Sequence, residues 1–200
     1  MSRRLRTTLL MMALATLASC SGRSGPSGPP PQNLDNACVI VAQKPDYLRA
    51  FRATERRWGV PVHVQMATIY QESKFDGEAR TPFRWTLGVI PMGRQSSAYG
   101  YSQALDGTWD EYREETNRFA ARRNDIRDAT DFMGWYMAQS KERLGIPLTD
   151  ARNQYLAYHE GRTGFTRGTY NAKPWLLRVS GEVGQRSEVY RAQLAGCRRG

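Results

Sequence analysis

Histidine is nearly missing from this 200-residue chain, which holds only His63 and His159. Its three cysteines, Cys20, Cys38 and Cys197, form no Cys-x-x-Cys and no Cys/His cluster. That argues against a structural zinc site, which needs closely spaced N and S ligands; no metal is expected, and no cofactor. No stretch reaches about 18 apolar residues, which excludes a multi-span helical membrane protein. Acid is short relative to base, 19 against 29, for a formal charge of +10. Lysine is scarce in turn, four against 25 arginines, a skew that genome composition explains as readily as ligand binding. Apolar residues make up 40% of the chain. That is enough for a packed core and against global disorder, in a length that fits one ordinary domain with tails.

The basic balance invites a nucleic-acid partner, and the amino terminus turns that reading away. Arg3, Arg4 and Arg6 precede the apolar run Leu9–Leu17, which is too short for a permanent span and has the order of a secretory signal. It ends in Leu17-Ala18-Ser19-Cys20, which resembles a bacterial lipobox. Residues 1–19 are therefore expected to be a lipoprotein signal peptide, with Cys20 lipidated and holding the protein to a membrane. A plain signal peptide with an incidental cysteine is the alternative. Removing residues 1–19 takes away three arginines and no acid, leaving 26 basic against 19 acidic residues, or +7. An exported chain does not meet intracellular nucleic acid. Ser21, where some hosts would place aspartate, inclines the expected location from the inner toward the outer membrane.

Residues 20–37 are expected to be the lipidated cysteine and a flexible linker. Ten of the sixteen residues 21–36 are Ser, Gly or Pro, too few apolar groups to fold, spanning up to roughly 50 Å if polyproline-like. Residues 38–200 would be one domain, with no internal repeat. Cys38 and Cys197 at its ends suggest a disulfide in an oxidising compartment; two free thiols are the alternative.

Helical spacing runs from Pro45-Asp46 to Gly59, and Pro61 opens a second segment, Val62–Glu72, apolar nearly all round like a buried helix. Residues 77–98, with Gly77, Pro82, Gly88, Pro91 and Gly93, predict a long loop or small hairpin. Further helices are predicted over 108–121, from Asp125 or Asn124 to Leu144, from Asp150 to Gly161, and over 174–179 and 183–195. The fold class is mainly α.

Three stretches carry candidate chemistry. Tyr70-Gln71-Glu72-Ser73 ends the apolar helix on an acid. Desolvation and the negative helix end both favour its neutral form, which could protonate a leaving group. A solvent-facing glutamate at a frayed end is the bland alternative. Ala98-Tyr99-Gly100-Tyr101-Ser102-Gln103, followed by Thr108-Trp109, combines close backbone approach, hydrogen bonding and aromatic faces, or is only a polar turn. Tyr155-Leu156-Ala157-Tyr158-His159-Glu160-Gly161 offers an inward tyrosine, or plain aromatic packing.

In this order, the three resemble the motifs of the lytic transglycosylase domain, Glu-Ser, Gly-Leu-Met-Gln and Ala-Tyr-Asn-x-Gly, on a fold related to goose-type lysozymes. The resemblance covers roughly residues 46–195. It implies a lysozyme-like helical domain acting on peptidoglycan glycan strands, with Glu72 as catalytic acid and base. It implies substrate contacts from Ser73, Tyr101, Ser102, Gln103, Tyr158 and His159. Phe83 and Trp85, in the long segment, could stack on sugars, with Arg84 or Arg94 meeting peptide carboxylates; alternatively their rings fold back on the core. The departures are the 27 residues between Glu72 and Gly100, Tyr101-Ser102 in place of Leu-Met, and His159 in place of Asn, which leaves the role of His159 open.

A retaining glycosidase needs a second carboxylate about 5 Å from the first, an inverting one at roughly 6.5–9.5 Å. Asp76, Glu78 and Glu160 are the nearest by position and none has a clear case. The resemblance implies no such need: Glu72 would protonate the bond between N-acetylmuramic acid and N-acetylglucosamine. It would then draw a proton from the C6 hydroxyl, leaving a 1,6-anhydro end. A hydrolytic muramidase on the same fold and a non-catalytic wall-binding lipoprotein are the competing expectations. Protein partners are not legible.

Overall fold

The computed structural model describes residues 28–86 and 90–197, with side chains for all of these except 84–86 and 90–91. The signal segment and Cys20 lie outside the described residues. Pro31 is already buried, the Gln32 N–H donates to the Gln43 side chain, and the Tyr190 hydroxyl donates to the Leu34 carbonyl. The helical body thus gathers in the chain several residues before Cys38.

Seven α-helices follow among the described residues. They are α1 (Ala37–Gln43), α2 (Pro45–Trp58), α3 (Val62–Ser73), α4 (Asp106–Thr116), α5 (Ile126–Leu144), α6 (Ala151–Thr166) and α7 (Pro174–Gly196). A hairpin of β1 (Phe83–Thr86) and β2 (Ile90–Arg94) stands between α3 and α4, antiparallel, with Phe83 opposite Arg94 and an irregularity before Trp85. The domain is mainly α, with a small hairpin in the expected place.

Local signals start and stop most of these helices. Asp125 caps α5 by accepting from the Arg127 N–H, Asp150 caps α6 by accepting from the Asn153 N–H, and Gly59 and Gly145 close α2 and α5 in left-handed conformation. Three predicted boundaries move. The helix placed over 108–121 runs Asp106–Thr116, because Asn117 turns left-handed and its N–H reaches the Arg113 and Glu114 carbonyls. The two C-terminal segments are one helix. Gly181 and Gly184 lie inside it, and packing along α3 and α6 outweighs their poor propensity. Helix α6 continues past Gly161 across a kink, and α1, too short for a periodic signal, was not predicted.

Helix α3 is the central element. Val64, Met66, Ala67 and Ile69 are completely covered, and Gln65 is too, donating to the Phe51 and Val60 carbonyls. Helix α7 packs along one side of α3, while α2 lies along α5. At that second contact a β-carbon on Gly134 would come within 2.5 Å of Thr54 Cγ2. A separate aromatic cluster joins α4 to α5 through Trp109, Tyr112, Phe132, Trp135 and Tyr136. Beside it the buried Asp131 carboxylate accepts from Arg57, Trp58, Tyr112 and Arg118. The Cys38–Cys197 disulfide ties α1 to the end of α7.

Candidate active site

Glu72 stands in the last turn of α3. The helix ends immediately afterward because Lys74 and Phe75 both take left-handed conformations, φ 52° and 61°. For residues other than glycine this costs about 1–3 kcal/mol each. Burial offsets the cost: Phe75 is fully covered and stacks on Tyr47 at 6.0 Å. Ser73, also buried, donates to the Tyr101 carbonyl at 2.8 Å, with the Ile69 carbonyl at 3.3 Å. One helix end is thereby bolted to the stretch that begins at Gly100.

That stretch is a tight backbone knot. Gly100 has φ 77°, and a β-carbon there would lie 2.2 Å from the Arg123 carbonyl oxygen. The Gly100 N–H donates to the Ala79 carbonyl and the Tyr101 N–H to the Arg123 carbonyl. Gln103 uses its side-chain amide on the Ala79 and Gly100 carbonyls, at 2.9 and 2.8 Å. Tyr101 is buried, its hydroxyl 2.9 Å from that of Tyr47. Arg123 staples the knot from outside, donating to the Ser97 and Ala104 carbonyls and pairing with Asp106 at 2.7 Å.

Helix α6 brings up two tyrosines one turn apart. The Tyr155 hydroxyl hydrogen-bonds the Glu72 carboxyl group. The Tyr158 hydroxyl donates to the Ser102 carbonyl at 2.6 Å, and its ring meets Tyr136 edge-on at 5.1 Å. Burial pushes the Glu72 carboxyl up to about 8, against the opposing pull of the Lys74 charge and the Tyr155 hydrogen bond. An acid so placed is mostly protonated at neutral pH. No carboxylate is among the groups whose charge acts on it.

The other acids are engaged elsewhere. Asp76 accepts from the Glu78 N–H, and Glu78 accepts from the Tyr99 hydroxyl and the Asn124 amide. Burial would raise Glu160, but hydrogen bonds from Lys173, Thr169 and His159 outweigh it and hold the carboxyl at about 2. Among the described residues no three His, Cys, Asp or Glu are grouped to hold a metal.

The residues singled out from sequence therefore separate into three groups. Glu72 and Tyr158 come together. Ser73, Tyr101 and Gln103 lie against them, with the Ser73 and Tyr101 hydroxyls and the Gln103 amide N–H group bonded within the protein. These bonds hold the three residues to the protein's own frame. The Ser102 hydroxyl is fully buried with no partner among the described residues. His159 stands at the edge: it is exposed, 3.1 Å from Glu160, with its ring edge-on to Trp175 at 5.2 Å and tilted against Tyr155 at 6.4 Å. Phe83 is 48% exposed under the Arg94 guanidinium at 4.4 Å, so its ring does not fold back on the core, while the Trp85 side chain lies outside the described residues. Tyr155, which bonds Glu72, and Arg123, which staples the stretch at Gly100, are positions that the motifs did not single out. The three-residue spacing of Tyr155 and Tyr158, which puts both on one helix face, was the available signal for the first.

A helical lysozyme-like domain with one buried, protonated acid at the end of its central helix defines the class: a glycosidic-bond-cleaving enzyme of the cell wall. Residues 8–197 match the family described as Transglycosylase SLT domain, and the chain belongs to that family. No curated protein matches it.

Proposed function

We propose that the protein is a lytic transglycosylase that cleaves the β-1,4 bond between N-acetylmuramic acid and N-acetylglucosamine, leaving 1,6-anhydro ends. The observation that carries this reading is the solitary Glu72. Held protonated up to about 8, it has a proton for the glycosidic oxygen at neutral pH. Once ionised, it is a stronger base than an ordinary carboxylate, suited to taking the proton of the C6 hydroxyl. The substrate's N-acetyl group steadies C1 between the two steps, and attack by the sugar's own hydroxyl consumes no water and calls on no second acid. Tyr155 orients the carboxyl group, while Tyr158 and Ser102 shape the wall beside it. Phe83 and Trp85 on the hairpin supply sugar-stacking faces.

The same reading makes the protein an exported lipoprotein held through Cys20 on the periplasmic face of a membrane, by preference the outer one. The order of residues at the amino terminus and a disulfide suited to an oxidising compartment support it. The test is mass spectrometry of muropeptides released from purified sacculi by the full chain in detergent, beside Glu72→Gln. Anhydro-ended products that vanish in the variant are expected. Reducing-end products would move the reading to a muramidase, and binding without products to a wall-binding protein.

A further inference from the structure

A hollow of about 510 Å³ opens where α6 kinks away from the site, between α4, α5 and the residues after Gly161. Gly161 has φ 72° and ψ 158°, a region essentially closed to other residues, and a β-carbon there would touch nothing. Backbone conformation, not space, therefore requires the glycine. The kink sets Arg162 against the Tyr136 ring, guanidinium carbon 4.6 Å from the centroid. Tyr136 meets Tyr158 at 5.1 Å, and the Glu72 charge acts on Tyr158. Two rings, Tyr136 and Tyr158, thus stand between the hollow and Glu72.

Its charge is incompletely matched. Arg162 Nη1 is buried without a hydrogen-bond partner, and Nη2 is 3.7 Å from Glu111, beyond hydrogen-bonding distance. Arg143 adds a second, exposed cation to the lining, and Thr108 and Thr163 add hydroxyls. The basic hollow between α3 and α7 differs, since there Lys74 lies over Tyr70, and Arg186 over Tyr70 and paired with Asp35.

We infer that this hollow is a carboxylate subsite that holds a free carboxylate on the peptide branch of the glycan through Arg162 and Arg143. Turning the guanidinium out of its long contact with Glu111 exposes the buried Nη1 and gives a forked pair with the incoming carboxylate. Glu111 is the competitor that keeps the empty hollow from trapping any passing anion. The inference rests on the peptidoglycan reading above and names a determinant of specificity within it.

The test compares kcat/KM of the full chain on glycan strands carrying peptide branches with that on strands stripped of them. The ratio is expected to fall about tenfold in Arg162→Gln, mainly through KM, as removal of a charge-assisted pair implies. It should fall less in Arg162→Lys and rise in Glu111→Gln, a gain that misfolding does not imitate. Ratios equal to wild type in all three overturn the inference. Should no strand be cleaved, the proposed activity is what fails. Calorimetry with a short peptide bearing free carboxylates and with its amidated form then decides the subsite. Carboxylate-dependent binding lost in Arg162→Gln supports it, and heats alike for both peptides overturn it.

Discussion

At the scale of the residue, the chemistry turns on which form of Glu72 the fold prefers. Its folded value, about 8, lies above the ordinary glutamate value of 4.5. The protonated form is therefore favoured by folding; that stability is present below about 4.5 and lost as pH rises through 8. Activity that needs the acid is accordingly expected to fall as pH rises through about 8, read from kcat/KM against pH. Tyr155→Phe removes a hydrogen bond that favours the ionised form, so the alkaline limb should move to higher pH. A limb that stays in place would show that Tyr155 does not act on this carboxyl, and one that moves down would show that its hydrogen bond favours the protonated form instead. Legibility at this scale was uneven. The candidate acid was readable because Glu72-Ser73 is the first of three stretches that together, in order, resemble the family's motifs; alone it could be a solvent-facing glutamate at a frayed helix end. The bonds of Ser73 and Gln103 to main chain and of Tyr101 to Tyr47 were not, because a hydroxyl or an amide carries no mark of which protein group it will meet.

At the scale of the element, α2, α4 and α5 are held in register by a single buried carboxylate. Asp131 is 6% exposed and accepts from two arginines, an indole and a phenol. Removing it strands those donors, and Asp131→Ala should cost about 3–5 kcal/mol, measured as a lower urea midpoint at an unchanged m-value. A loss below about 1 kcal/mol would mean the network adds little beyond the packing around it. Helix existence was legible from periodicity and from the Pro, Asp and Gly signals at the ends of α2, α3 and α5. The continuity of α7 across Gly181 and Gly184 was not, since local propensity argues for a break and only contact with α3 and α6 overrides it. The kink at Gly161 likewise looked like a helix end, because a glycine that stops a helix and one that redirects it read the same.

At the scale of the whole molecule, the two ends of the described helical body are joined to each other. Asp35 pairs with Arg186, Gln193 bonds both the Asp35 carbonyl and the Ala37 N–H, and the disulfide closes a 159-residue separation. Loop-closure arithmetic for so long a ring sets an upper bound of roughly 5 kcal/mol. Reduction, or Cys38→Ser with Cys197→Ser, is expected to lower the urea midpoint by no more than this implies. An unchanged midpoint would show that the noncovalent contacts suffice. The sequence by itself determined the mainly helical class, the break in helical pattern between the first two motifs, read as a long loop or small hairpin, and the candidate acid. Each of these follows from local pattern: periodicity, turn residues, and a carboxyl group at the end of an apolar segment. Only the tertiary structure decided that Tyr155 hydrogen-bonds that acid, that His159 lies between Tyr155, Glu160 and Trp175, and that Arg162 lines a hollow behind Tyr136. Those facts depend on how separate helices cross, and crossing is set by packing between surfaces that no stretch of sequence contains alone.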